Sequence, residues 1–161
     1  MKPEPQPSSA GMPPAPYSRR DFVTLASGCL LCAAVPRARA ATDKPVDIGE
    51  IKDWPKDAIS EKFIQYDFFV IRHKGRLFAS TAICPHKANY LLLDPQNPDR
   101  IICSGHDSTF TPEGIPTGGP ARRGLVRYGI SVNAGGRVTV DTSREFPQAQ
   151  WDDKASYVPV K

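Results

Sequence analysis

Arg76–His86 reads RLFASTAICPH and Arg100–His106 reads RIICSGH. In both, a short β-prone apolar run ends in a cysteine followed within three residues by a histidine. Upstream of the first, Asp67–Arg72 (DFFVIR) is joined to it by His73-Lys74-Gly75. Two apolar runs separated by a short Gly-containing link read as a hairpin. Its second strand delivers Cys84 into a loop. Pro95-Gln96-Asn97-Pro98-Asp99 is a turn, Arg100-Ile101-Ile102 a short strand delivering Cys103, and Thr109-Phe110-Thr111 leads the chain away. Beyond Gly114–Gly119, the runs Leu125–Val132 and Arg137–Asp141 flank Ala134-Gly135-Gly136 and alternate in polarity, a second hairpin. No amphipathic helix is legible after residue 40. The fold class is all-β, a small sandwich or barrel of short strands.

The first forty residues read differently. MKPEPQPSSAGMPPAPY (1–17) is too proline-rich for a helix or a ladder. Ser18-Arg19-Arg20-Asp21-Phe22-Val23 resembles the twin-arginine export motif, with Val23 in place of the usual Leu and Thr24 where Lys is common. An apolar run, Val23–Val35, then precedes Ala38-Arg39-Ala40, an A-x-A cleavage pattern. As a helix that run rises about 20 Å, short of a hydrocarbon core of roughly 30 Å. The expectation is cleavage after Ala40 and a periplasmic or outer-face location, with membrane attachment only if the signal helix is retained. Residues 41–66 read as a linker and entering strand (Val46-Asp47-Ile48-Gly49), in which Asp53-Trp54-Pro55 stops any helix. Residues 143–161 form an irregular tail with an edge strand near Tyr157-Val158.

Charge follows the same division. The chain has 21 Lys and Arg against 17 Asp and Glu. Removing the five basic and two acidic residues of 1–40 leaves 16 against 15, a net of +1 over 41–161. Such a domain gives no support to nucleic-acid binding.

Cys84-Pro85-His86 and Cys103-Ser104-Gly105-His106 each offer one thiolate and one imidazole. A C-x-H tripeptide cannot easily turn both side chains onto one metal, but it can place them on two adjacent metals about one sulfide bridge apart. Two facing loops then give one iron two thiolates and the other two imidazoles, the mixture of a 2Fe-2S centre in which histidines replace two cysteines on one iron. The competing reading is a structural zinc site in a binding module without redox function. Zinc sites more often pair like with like, as C-x-x-C plus H-x-x-x-H. His73 reads as a solvated turn residue, Trp54 and Trp151 as packing anchors. Arg122, Arg123 and Arg127 read as a solvated face, or else as a docking face for an acidic partner. Nothing resembles a phosphate loop or a Ser-His-Asp arrangement.

Cys84-x-His86 and Cys103-x-x-His106 resemble the ligand signature of the Rieske iron–sulfur family. Gly119-Pro120-Ala121 with Leu125 and Tyr128 resembles that family's proline loop and following strand, G-P-A-x-x-P-L-x-x-Y. The resemblance spans residues 45–142. It implies an antiparallel β-sandwich base with a two-loop cluster-binding subdomain and one 2Fe-2S cluster. It further implies Cys84 and Cys103 on an inner iron, His86 and His106 on an outer iron with ring edges near solvent, and Ser108 bonded to a bridging sulfide. Phe110 stands where high-potential members place a tyrosine, and Pro120 lies in the proline loop beside the cluster. Ala88 and Asp107 occupy positions where many members have glycine, Ser104 and Gly124 positions where proline is frequent. The chain beyond residue 40 has two cysteines, both assigned to iron. No disulfide can therefore tie the loops as in the Rieske subunits of cytochrome bc complexes, and packing by Leu91 and Pro120 is expected instead.

Two thiolates cancel the +2 of oxidised iron and sulfide, so the site runs from neutral to −1 on reduction, where an all-cysteine site runs from −2 to −3. Potentials of such centres accordingly lie higher, at about −150 to +300 mV. Ser108 should raise the value; the absent tyrosine and a nearby Asp107 carboxylate should lower it. The expected function is an exported one-electron carrier, a subunit or partner of a larger oxidoreductase rather than a stand-alone enzyme. Its redox partner would be a protein such as a cytochrome or a quinol-oxidising complex. The alternatives are the Rieske subunit of a quinol–cytochrome c reductase, the small subunit of an exported molybdenum oxidase, and the ferredoxin of an aromatic-ring oxygenase system.

Overall fold

The computed structural model describes residues 44–161; the twin-arginine motif, apolar run and A-x-A pattern lie outside the described residues. What is described is antiparallel β-structure with three short 3-10 turns. Strands β3 (Phe68–His73) and β4 (Arg76–Thr81) form the expected hairpin. Lys74 and Gly75 both have positive φ, 48° and 73°, the turn whose twist matches the flanking strands. The run Phe68-Phe69-Val70-Ile71 is buried on both sides. Phe68 and Val70 enter one core; Phe69 and Ile71 enter another. A strand covered on both faces reads as a continuous apolar run.

The larger sheet has the order β1 (Val46–Glu50), β10 (Arg137–Phe146), β9 (Arg127–Val132), β4, β3, β2 (Ala58–Ser60), and β11 (Val158–Pro159) also pairs with β4. Its first core gathers Ile48, Phe68, Val70, Leu77, Ala79, Tyr128, Ile130, Val138 and Val140. The second sheet is β5 (Leu91–Asp94), β6 (Asn97–Cys103), β7 (Thr109–Phe110) and β8 (Pro116–Gly118). It is seated on the first through Phe69, Ile71, Phe78, Leu91, Ile101, Phe110 and Leu125, and both cysteines belong to this second core. At about 1.5–3 kcal/mol for each large apolar side chain buried, this packing is what holds the two Cys/His loops to their base.

The tail is more regular than its composition suggests. β10 continues to Phe146 past a register shift between Asp141 and Glu145. There the Asp141 carboxylate accepts from both the Ser143 backbone N–H and its hydroxyl. Arg127 is a correction: it is 3% exposed, not solvated. Its guanidinium lies 3.8 Å from the Phe78 ring centroid and 4.3 Å from that of Trp151. The tail has folded back over the sheet and covered it. His73 is half-buried rather than solvated, its Nε2 2.9 Å from the Glu113 carboxylate. Trp54 packs against the first core, as an anchor should.

Candidate metal centre

Two loops, 84–89 and 104–108, rise from the second core. They are built alike. The Cys84 N–H donates to the Asn89 carbonyl, five residues on, at 2.8 Å; the Cys103 N–H donates to the Ser108 carbonyl, also five residues on, at 2.8 Å. The fourth residue after each cysteine is left-handed, Ala88 at φ 54° and Asp107 at φ 53°. That conformation costs a side chain little only in glycine. At both positions many members of the resembled family have glycine; here the turn is kept at a cost at Ala88, while aspartate tolerates it at Asp107. The loops differ in one respect: the histidine follows its cysteine by two residues in the first and by three in the second. Leu91, fully buried, stands opposite Cys103 in the β5–β6 ladder and carries one loop alongside the other.

The donors meet as pairs. Cys84 and Cys103 are buried, reduced and within hydrogen-bonding reach of each other. The His86 and His106 rings have centroids 5.0 Å apart and are nearly perpendicular; His86 is half-buried and His106 exposed. Burial pushes the Cys84 thiol up, against the pull of the backbone N–H groups of His86 and Lys87. Burial would also raise Cys103, but the N–H groups of Gly105 and His106 and the bond with Cys84 outweigh it and hold that thiol down. Asp107 is close enough to oppose ionisation of Cys103. Each sulfur thus receives two backbone N–H groups from the residues two and three places on, an arrangement that favours thiolate.

The donor set fits a 2Fe-2S cluster. It supplies two buried sulfurs, each receiving two backbone N–H groups, on one side and two imidazoles on the other. His86 Nδ1 is buried without a hydrogen-bond partner, which a ligand position explains and a packed core histidine does not. Among the described residues, no three His, Cys, Asp or Glu side chains gather as a site for a single ion. Ser108 is fully buried, and its Oγ accepts the Ala121 N–H at 3.1 Å. The hydroxyl proton is not used in that bond. Phe110 is fully buried beneath the second loop and brings no hydroxyl.

The segment 119–121 closes the site from the side. Gly119 has φ 74°, and a Cβ there would lie 2.5 Å from Ser108 Cα and 2.7 Å from the Asp107 carbonyl oxygen. The half-buried Pro120 follows and positions Ala121 over Ser108. Sequence reasoning missed Asn89. Its side-chain amide lies 3.2 Å from His106 Nδ1, and a Cβ on Gly105 would come within 2.6 Å of its Cγ. Asn89 therefore reaches from the first loop to the second, in addition to the expected Leu91 and Pro120. The signal available was positional: Asn89 and Ser108 stand at the same distance after their cysteines.

The family model of the Rieske [2Fe-2S] domain matches residues 44–129, more than half of the chain. The ferredoxin component of the alkene monooxygenase system of Xanthobacter autotrophicus is 28% identical over 109 residues, covering 66% of this chain and 88% of that protein. The crystal structure of the cyanobacterial plasma membrane Rieske protein PetC3 from Synechocystis PCC 6803 aligns with 59% of this chain and 97% of its own, at 22% identity and a TM-score of 0.44. Two loops of matching construction, paired sulfur and imidazole donors, and a domain match across most of the described residues lead to one conclusion: the chain belongs to the Rieske [2Fe-2S] family, electron-transfer proteins that carry a 2Fe-2S cluster.

Proposed function

We propose that the chain is an exported one-electron carrier whose cluster is ligated by Cys84, Cys103, His86 and His106. The observation that carries this reading is the pairing of two buried, N–H-bonded cysteines with two adjacent imidazoles at the open end of the loops. When bound, the cluster supplies a single reversible electron. The protein's part is to hold the sulfurs as thiolates, keep water from them through the second core, and present the exposed His106 edge to a partner. Backbone N–H groups on the sulfurs and the Ser108 hydroxyl favour the reduced, more negative state. Asp107 opposes it, and Phe110 adds no donor. These opposing effects put the midpoint at an intermediate value within the range of about −150 to +300 mV.

Export rests on the Ser18–Phe22 motif, the apolar run and Ala38-Arg39-Ala40. A twin-arginine route suits a protein that acquires its cluster before crossing a membrane. A second reading, the ferredoxin of a multicomponent oxygenase, is favoured by the similarity to the alkene monooxygenase ferredoxin. One experiment separates the two. Expression in a bacterium with a working twin-arginine system, followed by fractionation, should place a shortened, brown, iron-containing protein outside the cytoplasm. Full-length brown protein confined to the cytoplasm would leave the oxygenase ferredoxin as the better account. Absence of iron from protein prepared without oxygen would end both.

A further inference from the structure

The arginines of the described residues divide unevenly. Arg72, Arg76, Arg100 and Arg137 are ion-paired with Asp57, Asp152, Asp94 and Asp47. Arg127 and Arg144 lie over aromatic rings. Arg122 and Arg123 are exposed, with neither kind of partner among the described residues. They directly follow Ala121, whose N–H is bonded to Ser108 at the foot of the second ligand loop. Lys87, exposed and adjacent to His86, is a third cation of these loops; the acidic residues nearest in the fold are Asp107, beside His106, and Glu61, which accepts from the Leu93 N–H.

Uncovered apolar surface adjoins the second loop. Tyr90 is 56% exposed and Leu92 43% exposed. Alternation along a strand puts residues two apart on one face, so Tyr90 and Leu92 share the face opposite the buried Leu91. Leu92 stands opposite Ile102 in the ladder, and the Tyr90 carbonyl accepts the Ser104 N–H at 3.0 Å, which fixes it beside the second loop. An apolar centre with a charged rim is the usual make-up of a protein interface, and its charge sign selects the partner.

We propose that the face bearing His86 and His106 is a docking surface for an acidic redox protein, with Tyr90 and Leu92 packing at its centre and Arg122 and Arg123 pairing with carboxylates at its rim. The proposal rests on the reading that the cluster lies behind these histidines, and it adds the partner's chemistry. Unpaired arginines at a rim steer encounter, so their effect is on association rate and is removed by salt.

The test uses the reduced holoprotein mixed in a stopped-flow instrument with an acidic and a basic cytochrome c of similar potential. The acidic cytochrome should be reduced faster at low ionic strength, and its rate should fall as salt is added. Arg122→Glu with Arg123→Glu should slow it about tenfold at low salt, a modest share of what steering supplies, and converge with wild type at high salt. Arg122→Lys with Arg123→Lys should keep most of the rate. Tyr90→Ala with Leu92→Ala should slow the reaction several-fold with the salt slope unchanged. An unchanged rate and slope in the charge-reversed protein would overturn the proposal, as would preference for the basic cytochrome. Sedimentation with vesicles containing anionic lipid, without any response to the acidic cytochrome, would also overturn it in favour of a membrane-facing role. The absorption and paramagnetic spectra of each variant keep the two readings apart: a wild-type protein without iron fails the cluster reading, whereas intact spectra with unaltered kinetics fail the docking surface.

Discussion

Ser108→Ala removes a single oxygen with two expected consequences. Ser108 is fully buried, and its Oγ accepts the Ala121 N–H at 3.1 Å. Without it, that N–H is left in the second core with no acceptor. A buried donor stripped of its partner costs about 1–3 kcal/mol. In a domain of this size, each kcal/mol corresponds to a fall in Tm of a few degrees. The second consequence is electrostatic. The hydroxyl proton, not used toward Ala121, is the donor that the family resemblance directs at a bridging sulfide. A charge-assisted bond is about twice as strong as a neutral one. If it gains about 1–2 kcal/mol on reduction, its loss lowers the midpoint by about 45–90 mV, at 59 mV for each 1.36 kcal/mol in a one-electron couple. The assays are a thermal melt of the holoprotein and a titration followed by its visible spectrum. A lower Tm with an unmoved midpoint would refute the sulfide bond. A lower midpoint with an unmoved Tm would refute the role of Ser108 toward Ala121.

Asp107→Asn should keep the left-handed turn, which asparagine tolerates, while removing the charge that opposes ionisation at Cys103. The midpoint should rise by on the order of 10–50 mV, less at high salt. Gly119→Ala forces a Cβ to within 2.5 Å of Ser108 Cα at a φ of 74°; a loss of more than about 2 kcal/mol and faster bleaching of the cluster are expected by denaturant titration. Arg127→Lys keeps the charge but gives up stacking between Phe78 and Trp151, so it should destabilise by about 1–3 kcal/mol. Burial would raise the Glu113 carboxyl, but Lys74, its own backbone N–H, the Thr111 hydroxyl and His73 hold it at about 2, against an ordinary 4.5. Because the folded value is the lower one, this contribution to stability is complete above pH 4.5 and lost as pH falls through about 2; Glu113→Gln should flatten that part of the stability–pH curve.

The two hairpins of the larger sheet were legible because their residues agree at every level. FFVI and its partner are long enough to read as buried strands, and the chain's second hairpin alternates cleanly. The smaller sheet was mostly not. LLLD at 91–94 is too short for periodicity to separate strand from buried loop. β6 begins at Asn97 and Pro98, residues that advertise a turn, and Pro98 is tolerated at the start of its strand. β10 hides its last residues behind the Asp141–Ser143 bulge. Arg127 was misread because nothing local announces that Trp151, 24 residues later, will cover it. The ligand candidates stood out because few sequences place a histidine two residues after one cysteine and three after another. Asn89 offered only its position, five residues after Cys84 as Ser108 is after Cys103, since an amide that bridges two loops is a property of their docking rather than of either segment.

The central claim is mixed sulfur and imidazole ligation by residues of two loops. The direct test is pulsed paramagnetic resonance of the reduced protein, grown with 15N-labelled histidine and compared with unlabelled material. The account predicts strong coupling to two histidine nitrogens, with His86→Ala and His106→Ala each abolishing the signal. A reduced cluster that shows no coupling to labelled histidine, or that survives either substitution with its spectrum unchanged, would contradict it.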